Sequence, residues 1–270
     1  MFGKLIKNEF KSTAHSVMYI YLAAVITIAM MLLSYSVKLK WISTLSTVAL
    51  MLISVIAVII TLVAVISGFY KSLYGAQGYL SFTLPVKSGE LLASKALVSF
   101  VWILLSYIIA VSIWIGIYFY AAAKIGQDRI TAIKELMKAF QGIPGEKAIK
   151  QMLIFLGIMV FVQITVLISQ IYFSITLANT RVFQKYGMIT ALFIFFAVYI
   201  VMQILAMLLT TYVPVTLSAT QDGLAVSFSN NMMSMDGIAF GLTGTVFQIL
   251  AAAGLFTATS YLMKHKINVK

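Results

Sequence analysis

The 270 residues are 62% hydrophobic and 10% charged, with a mean hydropathy of +1.03, whereas soluble domains run at roughly 45–50% apolar and about 25% charged residues. This balance excludes a soluble fold and divides the length into bilayer crossings of about 20 apolar residues each, leaving little chain for a soluble catalytic domain. The net charge of +12 does not indicate nucleic acid, because the nineteen Lys and Arg are scattered between apolar blocks instead of gathered into one stripe; with no cysteine, disulfides, thiolate metal sites and a Cys nucleophile are excluded.

At the N-terminus Phe2, Leu5, Ile6 and Phe10 fall on one helical face, with Lys4, Lys7, Asn8 and Lys11 largely on the other. This pattern predicts an interfacial elbow helix over residues 1–15, held by apolar burial and by anionic lipid. The apolar stretch that follows is too long for a signal-peptide core, and Ser34-Tyr35-Ser36 is a poor cleavage site, so it reads as a retained span. Runs free of Asp, Glu, Lys, Arg and His extend over 16–37, 41–70, 96–123, 151–180, 186–221 and 237–263, and each can cross a bilayer as a helix. The expected fold is an all-α polytopic membrane protein with six transmembrane helices and one membrane domain over 1–270.

Three further connections carry structure of their own. Residues 70–90 are aromatic and apolar where a plain loop would be polar, which asks for a protein partner. Pro85 ends any helix near Leu84, Ser88 can cap the next, and Glu90 favours its first turn. Within 124–150, Ile130, Ile133, Met137 and Phe140 repeat at helical spacing opposite Lys134, Glu135 and Lys138, until Gly142-Ile143-Pro144-Gly145 breaks the pattern. A second amphipathic helix on the outer surface is expected there. Residues 212–236 hold Pro214, Asp222, Gly223 and a polar run from Ser227 to Asn231 yet stay moderately apolar; they read as short re-entrant helices against protein or a water-filled cavity, with an exposed loop as the alternative. Eleven Lys/Arg lie on the side that holds both termini and eight on the other, a modest bias toward cytoplasmic termini, and the orientation rests partly on the resemblance given below.

The spans contain no ionisable side chain, which argues against a proton or ion relay. His15 and His265 sit near span ends without a carboxylate at ligand spacing, so no metal site is indicated. No nucleophile with a base can be assembled, and residues 142–147 have the wrong spacing for a phosphate-cradling loop. No catalytic residue is therefore assigned. The polar residues inside the spans are Gln163, Gln170 and Ser174, which share a face of the fourth span, together with Gln203 and Gln248. They serve either interhelical packing or a substrate path. Gly237, Gly241 and Gly244, with Gln248 and Ala251, form a seam for close helix packing, inside one subunit or between two.

Two stretches, Phe69-Tyr70-Lys71-Ser72-Leu73-Tyr74-Gly75 and Gly78-Tyr79-Leu80-Ser81-Phe82-Thr83-Leu84-Pro85-Val86, resemble the first cytoplasmic loop of bacterial ATP-binding-cassette permeases of the second permease type. The resemblance implies an elbow helix, six spans, short re-entrant helices before the last span, and a coupling helix seated in a groove of an ATPase through Tyr74, Gln77, Tyr79, Leu80, Phe82 and Leu84. It further implies a dimer of permeases, homo- or heteromeric, in the bacterial cytoplasmic membrane. Two separate ATPase subunits would bind the ATP and Mg, and a hydrophobic or amphipathic cargo, such as an antimicrobial or other peptide or a drug, would move outward. The charged outer helix between the third and fourth spans departs from that pattern. The competing readings are a gradient-driven or passive carrier or channel, a bacteriocin-immunity membrane scaffold, and a membrane enzyme.

Overall fold

The computed structural model describes residues 2–37, 40–75, 88–138, 146–181, 183, 188–220, 223–228 and 239–265. Among them seven helices and three strands follow in the order α1 (Phe2–Val37), α2 (Lys40–Leu73), α3 (Ser88–Lys124), α4 (Arg129–Lys138), α5 (Glu146–Ala178), α6 (Met188–Tyr212), β1 (Val215–Thr220), β2 (Gly223–Phe228), β3 (Ala239–Gly241) and α7 (Leu242–His265). Five of the helices, α2, α3, α5, α6 and α7, are long and apolar enough to cross a membrane. Their surfaces fit lipid as the solvent: Leu52, Val63, Ile108, Ile154, Phe193 and Met207 are all more than half exposed, where a water-soluble helix would turn one stripe of such residues inward and carry charge outside. The protein is a helical polytopic membrane protein.

Two features differ from expectation. The elbow predicted over residues 1–15 is not a separate helix, because α1 runs unbroken through 36 residues; beyond Gly3 the segment contains neither Gly nor Pro, so nothing in the backbone stops the helix before the apolar stretch. Within 212–236, where short re-entrant helices are expected, the described residues beyond Pro214 form strands, over 215–220 and 223–228, and 229–236 lie outside the described residues. Pro214 cannot extend α6, and Val215-Thr216-Leu217-Ser218 alternates with β-branched residues, a pattern suited to a pleated strand. By contrast, a helix is present where the second amphipathic helix is expected, as α4, and Ile130 and Ile133 are exposed on it.

The chain divides into two compact units, over Met1–Ala132 and Ile133–Asn268. In the first, α1 packs on α2 and α3, and α2 on α3. Ala24, Leu50, Ile113 and Ile117 form one apolar cluster; Ala64, Val98 and Trp102 form another, with Ile6, Ala14 and Tyr21 against it. A hydrogen-bonded chain joins all three helices: Tyr21 Oη lies 2.6 Å from Ser106 Oγ, Ser106 Oγ 2.6 Å from Thr61 Oγ1, and Thr61 Oγ1 donates to Ala57 O at 2.8 Å. Lipid offers helices no hydrophobic reason to associate, so buried bonds of this kind and close packing hold the unit together. The end of α3 is set by Gly126, whose φ of 76° lets Gly126 N donate to Ala123 O and Gln127 N to Ala122 O, a left-handed glycine closure of the last turn.

In the second unit α5 packs against α6 and α7, and α6 against α7. The three strands form an antiparallel sheet in the order β2-β1-β3. Gly244, buried near the start of α7, has no room for a side chain: a Cβ there would lie 2.7 Å from Thr210 Oγ1 and 3.4 Å from Ala206 O of α6. The expected small-residue seam is thus used within the chain at Gly244. Gly237 lies outside the described residues.

Candidate functional site

Among the described residues, each unit contains a polar arrangement that the apolar sequence makes conspicuous. In the first, Phe69 and Leu73 are buried in the last turns of α2, and Tyr74 sits against Phe69 and Tyr70 with ring centroids 6.1 and 6.3 Å apart. The helix closes with Tyr74 N and Gly75 N both donating to Tyr70 O; a Cβ at Gly75 would fall 2.7 Å from Lys71 O. Next to this turn the Lys95 ammonium, from the second turn of α3, is ion-paired with the Glu9 carboxylate of α1 and donates to Ser72 Oγ of α2 at 2.7 Å. The Lys95 side chain is 3% exposed and that of Glu9 25%. A charge taken so far out of water persists only when it is paired and hydrogen-bonded. Two turns further along α3, Trp102 stacks on Phe10, the residue after Glu9, at 4.6 Å.

Three helices are therefore clamped together where the connection from α2 to α3 leaves and returns. Of the residues expected to couple to an ATPase, Tyr74 is part of this turn; Gln77, Tyr79, Leu80, Phe82 and Leu84 lie outside the described residues. Glu9, Ser72 and Lys95 were not singled out by sequence reasoning, which counted Lys95 only among the loop charges. A signal was nevertheless present, since Glu9 is the sole acidic residue before Glu90.

In the second unit an open cleft of ≈ 410 Å³ lies among α5, α6, α7 and the end of β3. It is lined by Gln163, Gln203 and Gln248, by Thr210, Thr211 and Thr245, and by Ala206, Met207, Gly241 and Gly244. Gln163 Nε2 donates to Gln248 Oε1 at 2.7 Å, bridging α5 and α7 across the cleft. The threonine hydroxyls donate to carbonyls of their own helices: Thr210 to Ala206 O, Thr211 to Met207 O and Thr245 to Gly241 O. What remains on offer is neutral, namely amide groups and hydroxyl lone pairs set among methyl and thioether surface. No lining residue is ionisable.

Three of the five polar residues expected along a substrate path thus converge. The other two do not: Gln170 and Ser174 are 4% and 1% exposed, do not line the cleft, and Ser174 Oγ donates to Gln170 O at 2.7 Å. Among the small residues, Gly241 and Gly244 both line the cleft. Among the described residues, no group of three or more His, Cys, Asp or Glu comes together. No family model, curated protein or solved structure matches this chain.

Proposed function

We propose that this chain is the transmembrane permease subunit of an ATP-driven exporter in the bacterial cytoplasmic membrane. The observation that carries the reading is the aromatic, apolar connection between two long apolar helices, Phe69 to Val86, whose composition suits a coupling helix docked in an ATPase groove. The clamp of Glu9, Lys95 and Ser72 supports it, since a rigid base is what a loop needs to transmit displacement to the helices behind it. In this reading α1 provides a sixth span and both termini are cytoplasmic. The permease works as a homo- or heterodimer with two copies of a separate ATPase, which holds the ATP and Mg; this chain itself is not an enzyme.

The cargo is a hydrophobic or amphipathic molecule, such as an antimicrobial or other peptide or a drug. The uncharged, glutamine-lined cleft supports that class, because neutral amides accept polar groups without the cost of burying an unpaired charge. The test is to isolate the tagged chain from its native membrane in mild detergent and reconstitute it in vesicles. An ATP-hydrolysing subunit should co-purify, and transport should require ATP. Transport by the chain alone, driven by an ion gradient or downhill, would instead establish a carrier or channel; protection of cells against a bacteriocin with no ATPase bound would point to an immunity scaffold.

A further inference from the structure

The small sheet of the second unit has its polarity reversed. Directly opposed residues of an antiparallel pair share a face, so the register sets Val215 with Phe228 and Leu217 with Val226 on one face, and Thr216 with Ser227 on the other. The polar face is the covered one: Thr216 is 1% exposed, its hydroxyl donates to Ser227 O at 3.2 Å and lies 3.0 Å from Ser227 Oγ. The apolar face is open, with Val226 59% and Phe228 81% exposed beside Tyr212 at 80%. A sheet with one wet face normally turns its polar side out. This one is held the other way by a bond from Leu224 N on β2 to Gln151 Oε1 of α5.

Chain connectivity decides what covers the open face. Two residues separate the end of α6 from β1, and none separates β3 from α7; both helices are apolar enough to cross a membrane. At 25 and 24 residues they are about 37 and 36 Å long, against about 30 Å of hydrocarbon and about 40–45 Å with headgroups. The sheet is thereby tethered at headgroup level. The chain enters the sheet directly from the end of α6, where Met207, Leu208 and Tyr212 are exposed, and residues 186–263 contain no Lys or Arg to draw that surface into water.

We propose that the apolar face of the three-stranded sheet, built on Leu217, Val226 and Phe228, is seated in the headgroup–acyl boundary of the bilayer as a lipid-binding platform at the C-terminal end of α6. The platform holds whichever transport reading is right. The residues suit the boundary, where an aromatic and branched aliphatic surface is buried a few ångströms deep, and on the edge strand β2 the Leu224 amide is capped by Gln151.

The absence of native cysteine allows a direct test on the full-length protein in phosphatidylcholine–phosphatidylglycerol vesicles. Single spin labels at Val226→Cys, Ser227→Cys and Phe228→Cys are compared with one at Lys134→Cys, an exposed site on α4. Collisions with oxygen, which concentrates in lipid, should exceed collisions with a water-soluble nickel chelate at 226 and 228. The order should reverse at 134, and 227 should be shielded from both. Preference for the chelate at 226 and 228 would put the face in water and overturn the proposal. Spin–spin broadening at those two sites, lost on dilution with unlabelled protein, would show a second copy covering the face and overturn it equally.

Discussion

At the residue scale the ion pair of Glu9 with Lys95 ties α1 to α3 in the first unit. Replacing Glu9 with Gln leaves the Lys95 ammonium, 3% exposed, without a counter-charge, and loss of one partner of a buried pair costs about 3–5 kcal/mol. A clear drop in the thermal unfolding midpoint of the detergent-solubilised E9Q variant is expected. E9Q combined with Lys95→Met should recover most of it, because the buried charge is gone. If E9Q unfolds like the parent chain, the pair contributes nothing. Gly244 allows a parallel test of packing. Gly244→Ala sets a methyl 2.7 Å from Thr210 Oγ1 and should cost about 1–3 kcal/mol by overpacking, while Thr210→Ala in the same chain removes the clashing oxygen and should restore the midpoint; equal losses in the single and double variants would refute the contact. These residues also mark what sequence can show. Helical spacing puts Gln163, Gln170 and Ser174 on one face, yet spacing fixes direction around an axis and not depth along it. Gln163 lines the cleft, whereas Gln170 and Ser174 occupy the buried half of α5. The Glu9–Lys95 pair was hidden because its partners are 86 positions apart and only the packing of α1 on α3 brings them together.

At the element scale, hydropathy located the helices but not their interruptions. The uncharged run over 186–221 reads as one span, and it contains both α6 and β1; a short apolar stretch does not declare itself helix or strand by composition, and Pro214 was the stronger cue. The opposite error occurred at α1, where a change from amphipathic to fully apolar sequence suggested two helices, although the backbone contains nothing to divide them. For the connection between α2 and α3 the composition remains the guide, and it yields the sharpest element-level expectation of the proposed function. Leu80 and Phe82, changed together to Asp, would bring unpaired charge into a partner's apolar groove, and buried anchors of that kind contribute about 2 kcal/mol or more each. Insertion and abundance should stay normal while ATPase co-purification and cargo-stimulated ATP hydrolysis are lost. Reduced abundance would mean that the two side chains pack on the permease's own helix ends, and normal transport with the ATPase retained would remove the coupling assignment.

For the whole molecule, the proposed function carries a topology that can be tested side by side. In the proposed arrangement of six crossings, the C-terminal end of α2 and the start of α3 in the first unit are cytoplasmic, as are the end of α5, the start of α6 and the end of α7 in the second, and α4 and the sheet are external. The ion pair between Glu9 and Lys95 then sets the beginning of α1 beside the start of α3, and Ala24 against Leu50 extends that alignment along α2, so α1 completes a sixth crossing in the proposed arrangement. Which side is cytoplasmic rests on the eleven-to-eight distribution of Lys and Arg, because cytoplasmic segments retain the excess. Exposed positions on both sides make this testable in the cysteine-free chain: Lys71 and Arg181 on one, Ile125 and Lys134 on the other. Single cysteines at Lys71 and Arg181 should resist a membrane-impermeant thiol reagent in intact cells and react after permeabilisation, whereas those at Ile125 and Lys134 should react at once. Reaction at Lys71 from outside would invert the molecule and place the 70–90 connection away from any cytoplasmic ATPase, ending the exporter reading. Mixed results, with Lys71 shielded and Arg181 open, would mean that one of α3 and α5 does not cross, and the pattern of sides would have to be redrawn from that helix onward.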